Sequence, residues 1–220
     1  MNCLFGKEGS QSEHSLVRYT GVALIGVLAV ALALRLWGLG RESLWLDEAT
    51  SLRLARMSVH DLLVHTAFDV HPPGYYLLLR WWLHLGESEV ARRSLSLLGG
   101  LLGVALTFLL GRELGDDRTG LAGALLLAVA PLHIWHSQEV RGYAWLTTCS
   151  LLAMFGVARL LATRLRAPSM DVGEAEGART PAPRLPQCFA PTSWGEAVGW
   201  LAYVAGAALA MYVHYYAVFV

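Results

Sequence analysis

Two carboxylates, Asp47 and Glu48, stand side by side behind the apolar run Leu44-Trp45-Leu46 in the stretch ESLWLDEATSLRLAR, residues 42–56. Only 15% of the chain is charged, so the pair calls for a reason. Adjacent acids can cap a solvated surface helix, or one of them can accept a proton in a reaction. A second polar group, His133, His136 and Glu139, recurs at every third residue. That spacing could align three ligands for a divalent metal on one helical face, although histidines at a membrane boundary also serve as plain polar anchors. Arg141 follows at the end of an apolar run, where a long cation commonly snorkels to the headgroups. His214, Tyr215 and Tyr216 lie at another such boundary, a usual place for aromatic belts.

The elements that must carry these residues are membrane spans. The chain of 220 residues is 55% hydrophobic with zero formal net charge, and its mean hydropathy is +0.45. These values lie far from the balance of a soluble domain, and nothing in the charge points to nucleic acid. Cys3, Cys149 and Cys188 are scattered without metal-type spacing, and no disulfide framework is expected. Apolar stretches long enough to cross the bilayer occur near 19–38, 94–111, 119–136, 143–163 and 196–213, and a sixth begins at Tyr215. The first ends in Arg35-Leu36-Trp37 rather than a small-residue cleavage motif, so it reads as a retained helix. Because the chain ends inside the sixth stretch, it reads as the N-terminal portion of a longer protein. The expected fold is an all-α membrane protein: a polytopic transmembrane helix bundle with short interfacial helices in the first extracytoplasmic loop.

Topology turns on residues 74–86, GYYLLLRWWLHLG, which are apolar but too short to span and hold Arg80 and His84. Read as interfacial, they put the N-terminal tail (1–18), residues 111–120 and a flexible, Pro- and Arg-rich loop (165–193) on one side. The positive-inside rule makes that side cytoplasmic. Residues 38–93, HSQEVRGY (136–143) and VHYY (213–216) then share the outer face. The outer loop holds Arg41, Arg53, Arg56, Arg80, Arg92 and Arg93, balanced by acids, and those arginines need a task of their own. Ser58-Val-His-Asp61 matches a capping box, and Pro72-Pro73 suits a helix start. Tyr75, Tyr76, Trp81 and Trp82 read as an interfacial anchor.

Taken in order, LWLDEATS, HPPGYYLLLRWW, PLHIWHSQEVRGYAW and MYVHYYAVF resemble the motifs of polytopic glycosyltransferases of the GT-C superfamily. The resemblance is greatest to the bacterial members related to protein O-mannosyltransferases and lipid A aminoarabinose transferases. It implies a GT-C-like transmembrane module over 19–220 in the bacterial plasma membrane. It further implies transfer of a sugar from a polyprenyl-phosphate donor to a hydroxyl of an acceptor protein, lipid or glycan at the extracytoplasmic face. By position within the family, Asp47 is the base, with Glu48 orienting the acceptor or the base. Arg141, His71, Arg53 and Glu139 fall where relatives carry donor- and phosphate-binding residues, and Tyr143, His214 and Tyr215 would line the site. Thr50 departs from the aminoarabinose transferases, which carry an arginine three residues after the acid. Mannosyltransferase-like relatives need no metal, so neither a metal nor another cofactor is expected. Two rival readings are an inactive fragment or assembly subunit, and a transporter, whose ionisable groups would lie at mid-membrane depth in broken helices.

Overall fold

The computed structural model describes residues 5–41, 43–69, 71–166 and 193–214. Over these residues the chain is an all-α polytopic membrane protein, without a strand among them. Four helices are long and apolar enough to cross a bilayer: α1 (Phe5–Leu36, apolar from Arg18), α5 (Glu89–Leu114), α8 (Tyr143–Arg166) and α9 (Trp194–Val213). The pair α6 (Asp117–Val129) and α7 (Pro131–Ser137), bent by 66°, is a fifth candidate crossing when its two halves are taken as one broken span. Their outward faces carry Val22, Ile25, Leu126 and Leu201, each 69% to 72% exposed, as lipid contact requires. α1 begins at Phe5, so most of the expected tail continues the first span as helix. Tyr215 and most of the expected loop at 165–193 lie outside the described residues.

Helix starts follow from side-chain caps. Ser88 accepts from Ala91 N–H at α5, Asp116 from Thr119 N–H at α6 and Ser193 from Glu196 N–H at α9. α8 and α9 pack closely because glycines face the contact: a Cβ on Gly156 would strike the backbone of Tyr203, and one on Gly206 the backbone of Ala153.

The break between α6 and α7 has a chemical cause. Pro131 has no N–H to offer the Leu127 carbonyl, and Arg35, near the end of α1 and fully buried, takes over that duty. Its guanidinium donates to the carbonyls of Ala31 (3.0 Å), Ala128 (3.0 Å) and Leu127 (3.4 Å) and to Ser137 Oγ (3.2 Å), and lies 2.7 Å from His133 Nδ1. One arginine thereby ties α1 to both halves of the broken span.

Residues 38–93 fold into α2 (Leu46–Arg56), α3 (Val59–Thr66), α4 (Gly74–Trp82) and a 3-10 turn at Leu83–Leu85. Leu52, Leu54, Leu62, Tyr75, Tyr76 and Leu79 pack with Leu95 of α5 and Val140. The anchor reading of Tyr75 and Tyr76 is therefore corrected. They are 3% and 4% exposed in this core, and Tyr75 Oη meets Ser96 Oγ at 3.3 Å, because α4 turns that face inward. Trp81, 65% exposed, keeps an outward position, while Trp82 Nε1 donates to Ser94 Oγ and the Ala91 carbonyl of α5. At α3 the Ser58 hydroxyl accepts from Asp61 N–H and donates to the Asp61 carboxylate (2.7 Å), a variant of the expected box.

The helix ends sort into two sets. Thr20 Oγ1 bonds Asp117 at 3.0 Å, Arg159 pairs with Glu113 at 3.0 Å, and Arg164 pairs with Glu196. At the opposite end α2, α4, the stretch after α7, the start of α8 and the end of α9 come together. Several arginines of residues 38–93 have tasks at that end: Arg93 pairs with Glu48, Arg56 with Glu87, Arg80 donates to the Met57 carbonyl, and Arg41 lies 5.4 Å over the Trp37 ring.

Candidate functional site

The neighbouring acids point in different directions because consecutive positions on a helix are turned by about 100°. Glu48 is wholly buried. Its Oε1 accepts from Arg93 Nε (3.0 Å) and Val140 N–H (2.9 Å), and its Oε2 from Arg93 Nη2 (2.8 Å) and Trp45 N–H (3.4 Å). The Arg93–carboxylate fork is bidentate, and Arg93 also donates to the Leu39 carbonyl at 2.8 Å. Asp47 sits in the first turn of α2 with its side chain 44% exposed, where the helix N-terminus favours a carboxylate.

The stretch between α7 and α8 is pinned from three elements. Gln138 Nε2 donates to the carbonyls of Arg35 (3.0 Å) and Trp37 (2.9 Å), Glu48 takes Val140 N–H, and Ser96 Oγ donates to the Arg141 carbonyl at 3.1 Å. Glu139 and Arg141, on either side of the pinned Val140, line different pockets.

On the Arg141 side, Nη2 lies 3.7 Å from Asp47 Oδ2 and donates to Tyr143 Oη at 3.1 Å. The Tyr143 ring lies 4.8 Å from His136 and 6.1 Å from His214, and the His214 ring meets His71 edge-on at 5.1 Å. His71 Nδ1 faces Asp69 at 3.7 Å. Asp47, His71, Arg141, Tyr143 and His214, separated by up to 167 residues in sequence, thus form one cluster. The space among Ser51, His71, Tyr76, Arg141, Tyr143 and His214 is only about 10 Å³, room for about one water. Burial, then the neighbouring charge of His71 and of Arg141, keeps His214 below the ordinary histidine pKa. Burial pushes the Tyr76 phenol up to about 12, so it stays protonated at neutral pH.

On the other side lies a cleft of about 470 Å³ lined by Trp37, Arg41, Trp45, Trp135, Gln138 and Glu139, with Glu48 and Arg93 in its wall. Glu139 is 6% exposed, and its carboxyl makes no hydrogen bond with a described residue; His136 Nδ1 lies 3.7 Å away. Burial, then the charge of Glu48, raises its pKa above the usual carboxylate range.

Arg53 stands apart: it is exposed on α2 and makes no hydrogen bond or ion pair with the described residues of the cluster. His133, His136 and Glu139 do not share one helical face, because α7 ends at Ser137 and Glu139 leaves that face. His133 turns to Arg35 and His136 to the Tyr143 ring. Among the described residues no three His, Cys, Asp or Glu side chains converge to hold a metal ion. Four contributors escaped the sequence reading: Arg35, Arg93, Asp69 and Tyr76. The only signal for the first two was an arginine at the edge of an apolar run, which snorkelling explains equally well.

No curated protein and no solved structure matches the chain. A family described as dolichyl-phosphate-mannose-protein mannosyltransferase matches residues 70–167. That stretch is less than half of the chain; it contains His71, Glu139, Arg141 and Tyr143 and leaves Asp47 and Glu48 outside. The Glu48–Arg93 and Glu48–Val140 contacts join the acid pair to the matched segment. From α4 to the end of α8, then, this protein is similar to a family of membrane glycosyltransferases.

Proposed function

We propose that the chain transfers a sugar from a polyprenyl-phosphate donor to an acceptor hydroxyl at the extracytoplasmic membrane face, with Asp47 as the base. The observation that carries this reading is the meeting of a half-exposed carboxylate, Asp47, with a guanidinium, Arg141, at one end of the bundle. Transfer of a glycosyl group to a hydroxyl needs both a proton acceptor and a cation for the leaving phosphate. The acceptor oxygen forms a bond to the anomeric carbon as the bond from that carbon to the phosphate oxygen breaks. Asp47 takes the hydroxyl proton, and Arg141, steadied by Tyr143, holds the charge gathered on the departing polyprenyl phosphate. Glu48 acts as a positioning residue, because it holds the peptide of Val140 between Glu139 and Arg141.

The matched family supports the class of reaction, and the apolar spans support a lipid-borne donor. The broken span with its buried arginine is also a feature of transporters. Arg35, however, is the next-to-last residue of α1, so this cluster lies at the bundle's end rather than at mid-depth. That position favours transfer over transport. The arrangement is tested with the purified chain in lipid nanodiscs and a polyprenyl-phosphate mannose donor labelled in the sugar. With a hydroxyl acceptor supplied, a serine- and threonine-containing peptide or a glycoside, wild type should pass the labelled sugar to it and release polyprenyl phosphate. Arg141→Lys should bind donor about ten-fold more weakly despite keeping its charge, since an ammonium cannot reproduce the planar fork. Unchanged donor affinity in Arg141→Ala would show that the arginine only snorkels.

A further inference from the structure

The larger outer cleft is not used by the phosphate and base chemistry, yet it is built from distant parts of the chain. Trp37 comes from the end of α1, Trp45 from the turn before α2 and Trp135 from α7, and they are 74%, 47% and 57% exposed. Tryptophans anchoring a protein in the interface need no common cavity. These three line one, of about 470 Å³, a size usual for small-molecule sites. Its polar wall is equally specific. Glu139 is more than nine-tenths buried and lines the cleft with both carboxyl oxygens lacking a hydrogen bond from any described residue. Gln138 spends its amide N–H groups on the carbonyls of Leu34, Arg35 and Trp37, which fixes its orientation and leaves its oxygen as an acceptor.

This wall asks for a ligand that brings hydroxyl donors. The buried carboxylates Glu48 and Glu139 disfavour a phosphate, Arg93 is closed on Glu48, and Arg41, the other cation lining the cleft, lies 5.4 Å over the Trp37 ring. A lipid tail would strand Glu139 without a partner. A sugar ring supplies both needs: hydroxyls for Glu139 and Gln138, and an apolar C–H face for a tryptophan ring, whose surface is wide and weakly polar. Glu139 and Arg141 flank the same pinned residue, so a ring in this cleft lies beside the proposed transfer site rather than within the phosphate cluster.

We propose that the cleft between Trp37, Trp45 and Trp135 is the acceptor subsite and that it takes a carbohydrate ring, with Glu139 accepting a hydrogen bond from a ring hydroxyl. This rests on the glycosyl-transfer reading, so its test reads binding and not turnover. Saturation-transfer NMR on the purified chain in nanodiscs uses methyl α-mannoside, methyl β-glucoside and diacetylchitobiose as probes, with a serine- and threonine-containing hexapeptide as the peptide arm. At least one glycoside should receive saturation on its ring C–H protons. Trp135→Ala and Glu139→Gln should each weaken that binding about ten-fold, the loss of one good contact, while Arg53→Ala, at an exposed position on α2 outside the cleft, leaves it unchanged. The proposal is overturned if no glycoside binds to protein that keeps its helical circular dichroism, if binding ignores Trp135, or if only the hexapeptide binds through the cleft. Glycoside binding through Trp135 in a chain that transfers no sugar would refute the transfer reading, and the acceptor role with it, and sustain the cleft only as a carbohydrate site. Sugar transfer without such binding would refute the cleft alone.

Discussion

Asp47 and Glu48 are one residue apart and have opposite environments. Glu48 accepts four hydrogen bonds out of contact with water, and Asp47 stands nearly half exposed beside Arg141. A buried carboxylate with a bidentate partner is costly to leave alone, so Arg93→Met should destabilise the protein by about 3–5 kcal/mol. Pairing that change with Glu48→Leu should restore much of the loss, because no charge is then stranded. Thermal unfolding in detergent checks both variants; equal melting of Arg93→Met and wild type would show that the pair contributes nothing. The acid pair was legible as a pair of groups with a task. Which acid is buried was not, since Glu48's partner lies 45 residues onward and an arginine in that position reads as one of several near a membrane surface. The fate of Tyr75 and Tyr76 was hidden for a similar reason: an aromatic face looks the same whether it meets headgroups or α5.

At the scale of elements, the five apolar stretches and the short helices between 38 and 93 were legible from hydrophobic length, caps and prolines. The break was not. Pro131 falls inside the stretch expected to run from 119 to 136, and prolines are tolerated within spans where something else satisfies the freed carbonyl. That substitute is Arg35, 92 residues from the Leu127 carbonyl it reaches. Arg35→Met retains the length of the side chain and removes every donor. The Ala128 carbonyl and the His133 ring would lose their partner, a loss of about 1–3 kcal/mol for each buried group left unmet, while the Leu127 carbonyl keeps Ala130 N–H and the Ser137 hydroxyl keeps the His133 carbonyl. We expect a clearly lowered melting temperature together with faster proteolysis between α6 and α7. A variant as resistant as wild type would mean that the break is held by packing alone.

For the whole molecule, hydrogen bonds and ion pairs sort the helix ends into one set around Thr20, Asp117, Glu113 and Glu196 and another around Asp47, Arg141 and His214. An even sorting of this kind follows only if residues 74–86 stay at one side, and α4 is too short to do otherwise. The proposal places the Asp47 set outside. Single cysteines beside Asp47 and Glu139, in a chain without Cys3, Cys149 and Cys188, should react with an impermeant thiol reagent in intact cells. A cysteine beside Asp116 should react only after the cells are opened. The reverse pattern would turn the molecule over and place the site in the cytoplasm. Of the residues expected at the site, Asp47, His71, Arg141, Tyr143 and His214 lie together, while Arg53 stands apart and Glu139 faces the other cleft. The crowding of the cluster was not legible: side-chain packing decides that the roomier cleft lies on the Glu139 side, and no spacing in the sequence encodes a volume.

The most direct test of the account is the turnover of Asp47→Asn. Asparagine keeps the shape and caps a helix about as well as aspartate, but it cannot take the acceptor's proton. In nanodiscs, with donor binding and melting temperature measured alongside, sugar transfer should fall by about 10²- to 10⁴-fold while both of those stay near wild type. Near-normal transfer by Asp47→Asn would contradict the account: the exposed acid would then be a helix cap, and the proton would leave by another route.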